Sequence, residues 1–170
     1  MKKTLLIFLL SLLYSCDSKL ENLIPDNHEK WPLFTHDKLD YFIPGHENNY
    51  RISYINEIGA KYKPQKKDND QFLYNYPEGT IILKEIYPSN TYQPGDIPEY
   101  YTVMIKKPGH PHAQGDWVWL VKNHESKEET IFHSDMCVNC HEGANTQHPY
   151  GDKNLGKDFR DYTFFTFDGQ

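Results

Sequence analysis

Two cysteines and a histidine near the C-terminus form the run Cys137-Val138-Asn139-Cys140-His141. This is C-x-x-C-H, the spacing at which two thiols add to the vinyl groups of a porphyrin and the next imidazole ligates the iron. A redox dithiol, half of a zinc site and a chance occurrence are the alternatives. A zinc site needs a second ligand pair, and a thioredoxin-like dithiol needs a βαβ unit; the sequence offers neither. It therefore predicts one covalently attached haem c, with His141 as an axial iron ligand.

The N-terminus has the pattern of an export signal. Lys2 and Lys3 precede an apolar run over 5–13, which is too short to be a comfortable membrane-spanning helix. The run ends in Leu13-Tyr14-Ser15-Cys16, which resembles the lipobox of bacterial lipoproteins, where the cysteine is acylated after cleavage. An ordinary secretory signal with an incidental cysteine is the alternative. Because haem c is attached outside the cytoplasm, both ends of the chain predict an extracytoplasmic protein, lipid-anchored through Cys16 on the periplasmic side or at the cell surface.

The charge balance argues against one class of partner. Of 18 Lys and Arg, two lie before Cys16, so a processed chain has 16 against 24 Asp and Glu, a net charge of −8. Nucleic-acid binding needs clustered basic residues, so no nucleic-acid partner is expected. The predicted organisation is a signal peptide over 1–15, a tether over 16–40 and one haem-binding domain over 41–170.

Turn residues divide the domain into short extended segments. Pro77, Pro88, Pro94-Gly95 and Pro108-Gly109 begin or end these segments. Strands are predicted over Thr80–Tyr87, Tyr100–Lys106 and Asp116–Lys122. The predicted fold class is mainly β (α+β): an antiparallel meander sheet with a few short helices and a C-terminal haem-attachment segment.

Other segments carry weaker signals. Apolar residues three apart predict a short helix over Arg51–Ala60. We expect a strand or turn over Asp40–Pro44 and a last short element over Phe159–Phe167. Trp31 and Phe34 indicate that part of the tether docks on the domain.

Lys84 occupies an unusual position in the first predicted strand. Alternation places it with Ile82 and Ile86 on one face, opposite Leu83 and Glu85. A buried lysine is unfavourable unless it is paired or chemically altered. The pattern alone favours the alternative, in which Lys84 lies near a sheet edge with its ammonium group in water.

Four segments together resemble the cytochrome P-460 family, which includes the cytochromes c′-beta, over about residue 51 to the C-terminus. They are Tyr76-Pro77-Glu78-Gly79-Thr80-Ile81-Ile82-Leu83-Lys84-Glu85, Asp116-Trp117-Val118-Trp119, the C-x-x-C-H run, and Asp161-Tyr162-Thr163-Phe164-Phe165-Thr166.

The resemblance implies a mostly antiparallel β fold, often dimeric, so a homodimer is among the expected partners. It also implies one c-type haem whose iron has a proximal histidine and an open distal side. In cytochromes P-460 proper, a lysine is joined to the porphyrin and hydroxylamine is oxidised; cytochromes c′-beta lack that bond and bind nitric oxide. Lys84 matches the position of the cross-linking lysine. Members without the bond also carry a lysine there, so a cross-link at Lys84 is left open.

The loop after the second predicted strand departs from the family. Hydroxylamine oxidisers use an acidic distal residue from about this region, whereas this loop reads Pro108-Gly109-His110-Pro111-His112-Ala113, with no acid before Asp116. His110 and His112 are candidate distal proton donors, because imidazole titrates near neutral pH. The alternative is a solvated loop with two incidental histidines. The missing acid weakens the case for hydroxylamine oxidation.

The sequence thus predicts a monohaem cytochrome that handles nitric oxide or hydroxylamine and passes electrons to a redox partner protein. Whether it turns over as an oxidoreductase is left open. One alternative is a six-coordinate electron carrier, with Met104, His133 or His148 as the sixth ligand; Met104 is more simply a strand side chain. Another is a nitric oxide binder or sensor without turnover.

Overall fold

An antiparallel sheet of six strands is the centre of the fold. The computed structural model describes residues 23–35, 49–133 and 135–167. The strands are β1 (Leu33–Thr35), β2 (Arg51–Ile55), β3 (Gln65–Lys66), β4 (Phe72–Leu73), β5 (Ile81–Ile86), β6 (Tyr100–Lys106), β7 (Trp117–Asn123) and β8 (Glu129–Ile131). The helices are α1 (Glu57–Ala60) and α2 (Asp135–Glu142), with 3-10 turns at His28–Lys30 and Gly143–Asn145.

The strands of the main sheet lie in the order β1-β2-β5-β6-β7-β8, and each neighbouring pair is antiparallel. Strands β3 and β4 form a separate small sheet. The mainly β class and the antiparallel meander are therefore confirmed. The three predicted strands correspond to β5, β6 and β7, within one residue at each end.

The predicted helix over Arg51–Ala60 is wrong for its first half. Residues 51–55 form β2, which pairs with β5 along its whole length. Only Glu57–Ala60 is helical, and Asn56 caps it by accepting a hydrogen bond from the Gly59 amide at 3.1 Å. Apolar residues three apart in so short a segment fit either element, and pairing with a central strand decides the outcome.

The two faces of the main sheet have separate cores. On one, which we call the Leu83 face, Leu83, Val103 and Leu120 lie side by side across β5, β6 and β7. On the other, the Ile82 face, Ile82 is followed in the same way by Met104 and Trp119. The alternation predicted for β5 is therefore confirmed.

Residues 23–35 contact the Leu83 face and one sheet edge. Ile24 is 3% exposed and packs in the Leu83-face core, together with Trp31. The Glu129 carboxylate accepts hydrogen bonds from the amides of Leu23 (2.9 Å) and Ile24 (3.4 Å). Strand β1 pairs with β2, and Phe34 packs on the Ile82-face core. This part of the predicted tether is thus docked on the domain, as Trp31 and Phe34 indicated.

The remaining predicted features lie near the two ends of the chain. The signal peptide with Cys16, and the strand or turn over Asp40–Pro44, lie outside the described residues. Residues 159–167 form turns and one isolated bridge, between Phe159 and Leu73, rather than a regular element. Within 23–35, 49–133 and 135–167, no helix has the length and apolar character needed to cross a membrane.

Candidate functional site

The C-x-x-C-H run forms most of helix α2, which packs on the Ile82 face. Cys137 and Val138 contact the core that contains Met104 and Trp119. Both Cys137 and Cys140 are half-buried free thiols. Burial, and to a lesser extent the nearby Cys140, raises the pKa of the Cys137 thiol. Because side chains four apart share a helix face, Cys137 and His141 lie one above the other.

The ring of His141 is held by a backbone carbonyl and two aromatic side chains. Nδ1 lies 2.8 Å from the Tyr162 carbonyl oxygen, which can only accept, so Nδ1 carries the proton and Nε2 the lone pair. Trp119 and Phe164 contact the ring edge-on, at centroid distances of 4.8 and 5.1 Å. Burial lowers the pKa of His141 to about 4, against a smaller upward effect of the Tyr162 bond. A neutral imidazole oriented in this way is the usual form of a metal-ligating histidine.

Lys84 lies in the sheet interior, on the same face as α2. Strand β5 is the third of six, and Lys84 is flanked by Ser53 and Thr102 on the neighbouring strands. The expectation of a lysine near a sheet edge is therefore wrong. Burial, with a smaller effect of the Arg51 charge, lowers the pKa of Lys84 to about 8. The positive charge of Lys84 also contributes to the lowered pKa of His141, so the two side chains are close enough to interact electrostatically.

A turn over Arg160–Thr163 supplies the carbonyl that His141 binds. Its central residues, Asp161 and Tyr162, have φ of 48° and 69°, as in a type I′ turn. The Thr163 amide closes the turn on the Arg160 carbonyl at 3.0 Å. Tyrosine is a poor residue for a left-handed conformation, which costs roughly 1–2 kcal/mol. The surrounding contacts therefore impose the turn.

A buried ion pair anchors this turn to the sheet. Lys106 and Asp161 are 4% and 3% exposed, and Lys106 Nζ lies 2.7 Å from Asp161 Oδ1. Trp117 Nε1 donates to the same oxygen at 3.2 Å, and the Tyr76 amide donates to Oδ2 at 2.8 Å. Burial raises the pKa of Asp161, and the bonds from Lys106, Tyr76 and Trp117 oppose that effect. Sequence reasoning placed Lys106 only at the end of a predicted strand and Asp161 only in a segment that resembles the family, and it did not predict their pairing.

The two candidate distal histidines lie on the loop between β6 and β7. His110 is half-buried and His112 exposed. Their rings contact each other at 5.5 Å, and His112 contacts His133 at 4.5 Å. In the described part of the chain no group of three or more His, Cys, Asp or Glu is arranged to hold a metal ion. The proton-donor role of His110 and His112 stays a prediction.

The candidate sixth ligands occupy different positions. Met104 is buried in the Ile82-face core between Ile82 and Trp119. His133 is exposed, in the segment before α2. His148 is 9% exposed, accepts a hydrogen bond from the Tyr150 amide through Nδ1, and packs against Phe164. The contacts of Met104 are those of an ordinary strand side chain.

Comparison with known proteins decides the family. The sequence profile described as Cytochrome P460 matches residues 25–165, most of the chain. The chain belongs to the cytochrome P460 family. No curated protein matches it closely enough to be informative. Membership in the cytochrome P460 family supports a c-type haem protein, and the donors on α2 fit such a group: two half-buried free thiols and an oriented neutral imidazole.

Proposed function

We propose that this member of the cytochrome P460 family is an extracytoplasmic, lipid-anchored monohaem cytochrome. In this proposal it handles nitric oxide or hydroxylamine and passes electrons to a redox partner protein. The observation that carries the proposal is the conjunction on α2 of Cys137, Cys140 and His141, with Nδ1 of His141 bound by the Tyr162 carbonyl. Each of these residues has a defined task toward a haem.

Cys137 and Cys140 would form the two thioether bonds, and His141 would bind the iron through Nε2. The hydrogen bond to the Tyr162 carbonyl holds the imidazole ring in the required tautomer and strengthens it as a ligand. When bound, haem supplies an iron that takes a small nitrogen ligand and changes its oxidation state by one electron. The contacts of Trp119 and Phe164 restrict rotation of the ring.

Lys84 matches the position of the lysine that is joined to the porphyrin in cross-linked members of the family. An amine must lose its proton to act as a nucleophile, and with a pKa of about 8 roughly a tenth of Lys84 is neutral at pH 7. At an ordinary lysine pKa of about 10.4, the neutral fraction would be about 200 times smaller. The environment of Lys84 therefore favours cross-linking, and mass spectrometry of the intact protein and its tryptic peptides would detect the bond.

Non-turnover binding of nitric oxide is the second candidate. The loop that carries an acidic proton acceptor in hydroxylamine oxidisers has His110 and His112 instead, and His112 is exposed. Without a distal acid, hydroxylamine oxidation depends on His110 or His112 to remove protons, whereas binding of nitric oxide needs no proton transfer. Turnover of hydroxylamine with an electron acceptor separates the two candidates.

Three measurements test the proposal. The pyridine haemochrome spectrum should show covalent haem in the native protein and in His133→Ala, a matched control, and none in Cys137→Ser/Cys140→Ser. The ferrous spectrum should change on addition of nitric oxide or carbon monoxide; a low-spin spectrum indifferent to both would establish a six-coordinate carrier. Cys16→Ser should release the protein from the membrane fraction, and a variant that stays bound would contradict the lipid anchor.

A further inference from the structure

The turn over Arg160–Thr163 connects a buried ion pair to His141, the proposed iron ligand. The Tyr162 carbonyl accepts the Nδ1 proton at 2.8 Å, and Tyr162 follows directly after Asp161. The direction of a peptide carbonyl is set by the dihedral angles on either side of it. Whatever fixes residues 161 and 162 therefore fixes the hydrogen bond to His141.

The side chain of Asp161 is fixed from three elements. Its two oxygens accept from Lys106 at the end of β6, from Trp117 at the start of β7, and from the Tyr76 amide ahead of β5. Lys106 Nζ also lies 5.2 Å from the centre of the Trp117 ring. An aspartate held in this way cannot turn without leaving a buried cation unpaired.

The next residue is fixed by its ring. The side chain of Tyr162 packs on Gly115, where an added Cβ would lie 2.6 Å from the ring. Gly115 has φ of +62° in the tight turn between Gln114 and Trp117, which are joined by two backbone hydrogen bonds of 2.8 and 3.1 Å. Two contacts therefore fix the left-handed backbone at residues 161 and 162: the ion pair of Asp161 with Lys106, and the packing of the Tyr162 ring on the turn at Gly115.

We propose that Asp161, paired with Lys106, is a positioning residue for the axial histidine: it holds the Tyr162 carbonyl on Nδ1 of His141 and so sets the strength of His141 as an iron ligand. The inference deepens the proposed function, on which its haem part rests. It concerns a residue that touches neither the iron nor a substrate. Its effect passes through one peptide bond.

The test compares Asp161→Ala, Asp161→Asn and Lys106→Met with native protein and with a matched control. Glu129→Gln serves as the control, because Glu129 is also a buried carboxylate and lies 3.4 Å from a buried lysine, Lys122. It breaks an ion pair on the Leu83 face of the sheet, away from the turn that holds His141. Asparagine tolerates a left-handed backbone but removes the charge, so Asp161→Asn should fall between native and alanine.

The first readout is the exchange of the His141 Nδ1 proton with solvent, followed by NMR with 15N-labelled histidine. Loss of a hydrogen bond should accelerate exchange by about tenfold in Asp161→Ala, and by less in Asp161→Asn and Lys106→Met. The second readout is the iron–histidine stretching band of the ferrous haem in resonance Raman spectra, which should move to lower frequency in the same order. Glu129→Gln should leave both readouts at native values while lowering the melting temperature.

The proposal is overturned if Asp161→Ala loses thermal stability while proton exchange keeps its native rate. It is equally overturned if Glu129→Gln changes both readouts as much as the Asp161 variants do. If Asp161→Ala does not fold, Asp161→Asn and Lys106→Met decide. The ring 15N shifts of His141 report the proton on Nδ1 whether or not haem is attached. A colourless protein would therefore refute the proposed function and still allow this test.

Discussion

Replacement of Lys84 by methionine should stabilise the protein at neutral pH, provided that no bond joins Lys84 to the porphyrin. Lys84 is half-buried between Ser53 and Thr102 on an interior strand and has no ion-pair partner among the described residues. Burial lowers its pKa from 10.5 to about 8. The folded protein therefore binds the Lys84 proton more weakly than the unfolded chain does.

The magnitude follows from the linkage between protonation and folding. A pKa lowered by this amount corresponds to about 3 kcal/mol of unfolding free energy, lost in full below pH 8 and recovered as the pH rises to about 10.4. Since the side chain keeps some contact with water, we expect Lys84→Met to be more stable than the native protein by about 2 kcal/mol at pH 7. At pH 10.5 the two should agree within about 0.5 kcal/mol.

Urea denaturation followed by far-ultraviolet circular dichroism, at pH 7 and pH 10.5, measures both differences. Lys63→Met is the control, because Lys63 is exposed and its replacement should change stability by less than about 0.5 kcal/mol at either pH. Lower stability of Lys84→Met at pH 7, in protein shown by mass spectrometry to lack the cross-link, would refute the reasoning. If the cross-link is present, the amine no longer titrates and Lys84→Met should be less stable at both pH values.

Two further substitutions test contacts on either side of the sheet. The Glu85 carboxylate accepts a hydrogen bond from Tyr87 at 2.7 Å and pairs with His28 at 3.0 Å. Burial raises the pKa of Glu85, but these two bonds outweigh burial, so the pKa of Glu85 lies below its usual value. Glu85→Gln should therefore lower the free energy of unfolding by about 1–3 kcal/mol at pH 7. Urea titrations at a series of pH values should show this difference shrinking as the pH falls through the Glu85 pKa. A difference that stays constant down to about pH 3 would contradict the carboxylate's role. Gly115→Ala should cost about 1–3 kcal/mol in thermal unfolding, because Gly115 has a left-handed backbone and its added Cβ meets the Tyr162 ring, and an unchanged melting temperature would show that both adjust freely.

Much of the sheet could be predicted because local and long-range signals agree. Turn residues bound β5, β6 and β7, and alternation assigned Ile82 and Leu83 to opposite faces, where the structure has them. The sequence misled at Arg51–Ile55, since spacing over five residues does not distinguish a strand from a helix until its pairing with β5 is known.

Only those site residues that lie together in one short sequence motif could be predicted. Cys137, Cys140 and His141 are recognised by their spacing alone. Lys106 and Asp161 meet across 55 residues, and their pairing depends on the turn that brings the C-terminal segment back to β6. Lys84 was assigned to the correct face, but its distance from the sheet edge depends on β1 and β2, which sequence patterning did not reveal as strands.

Helix α2 also bears on how such a protein would mature. None of its residues is fully buried, in contrast to β5, β6 and β7. A segment with so little enclosed surface can open while the strands stay paired, so we expect its backbone amides to exchange with deuterium far sooner than those of the central strands. An assembly factor could then reach both cysteine sulfurs after the sheet has folded. Binding of the iron by the histidine would afterwards hold the helix in place on the sheet.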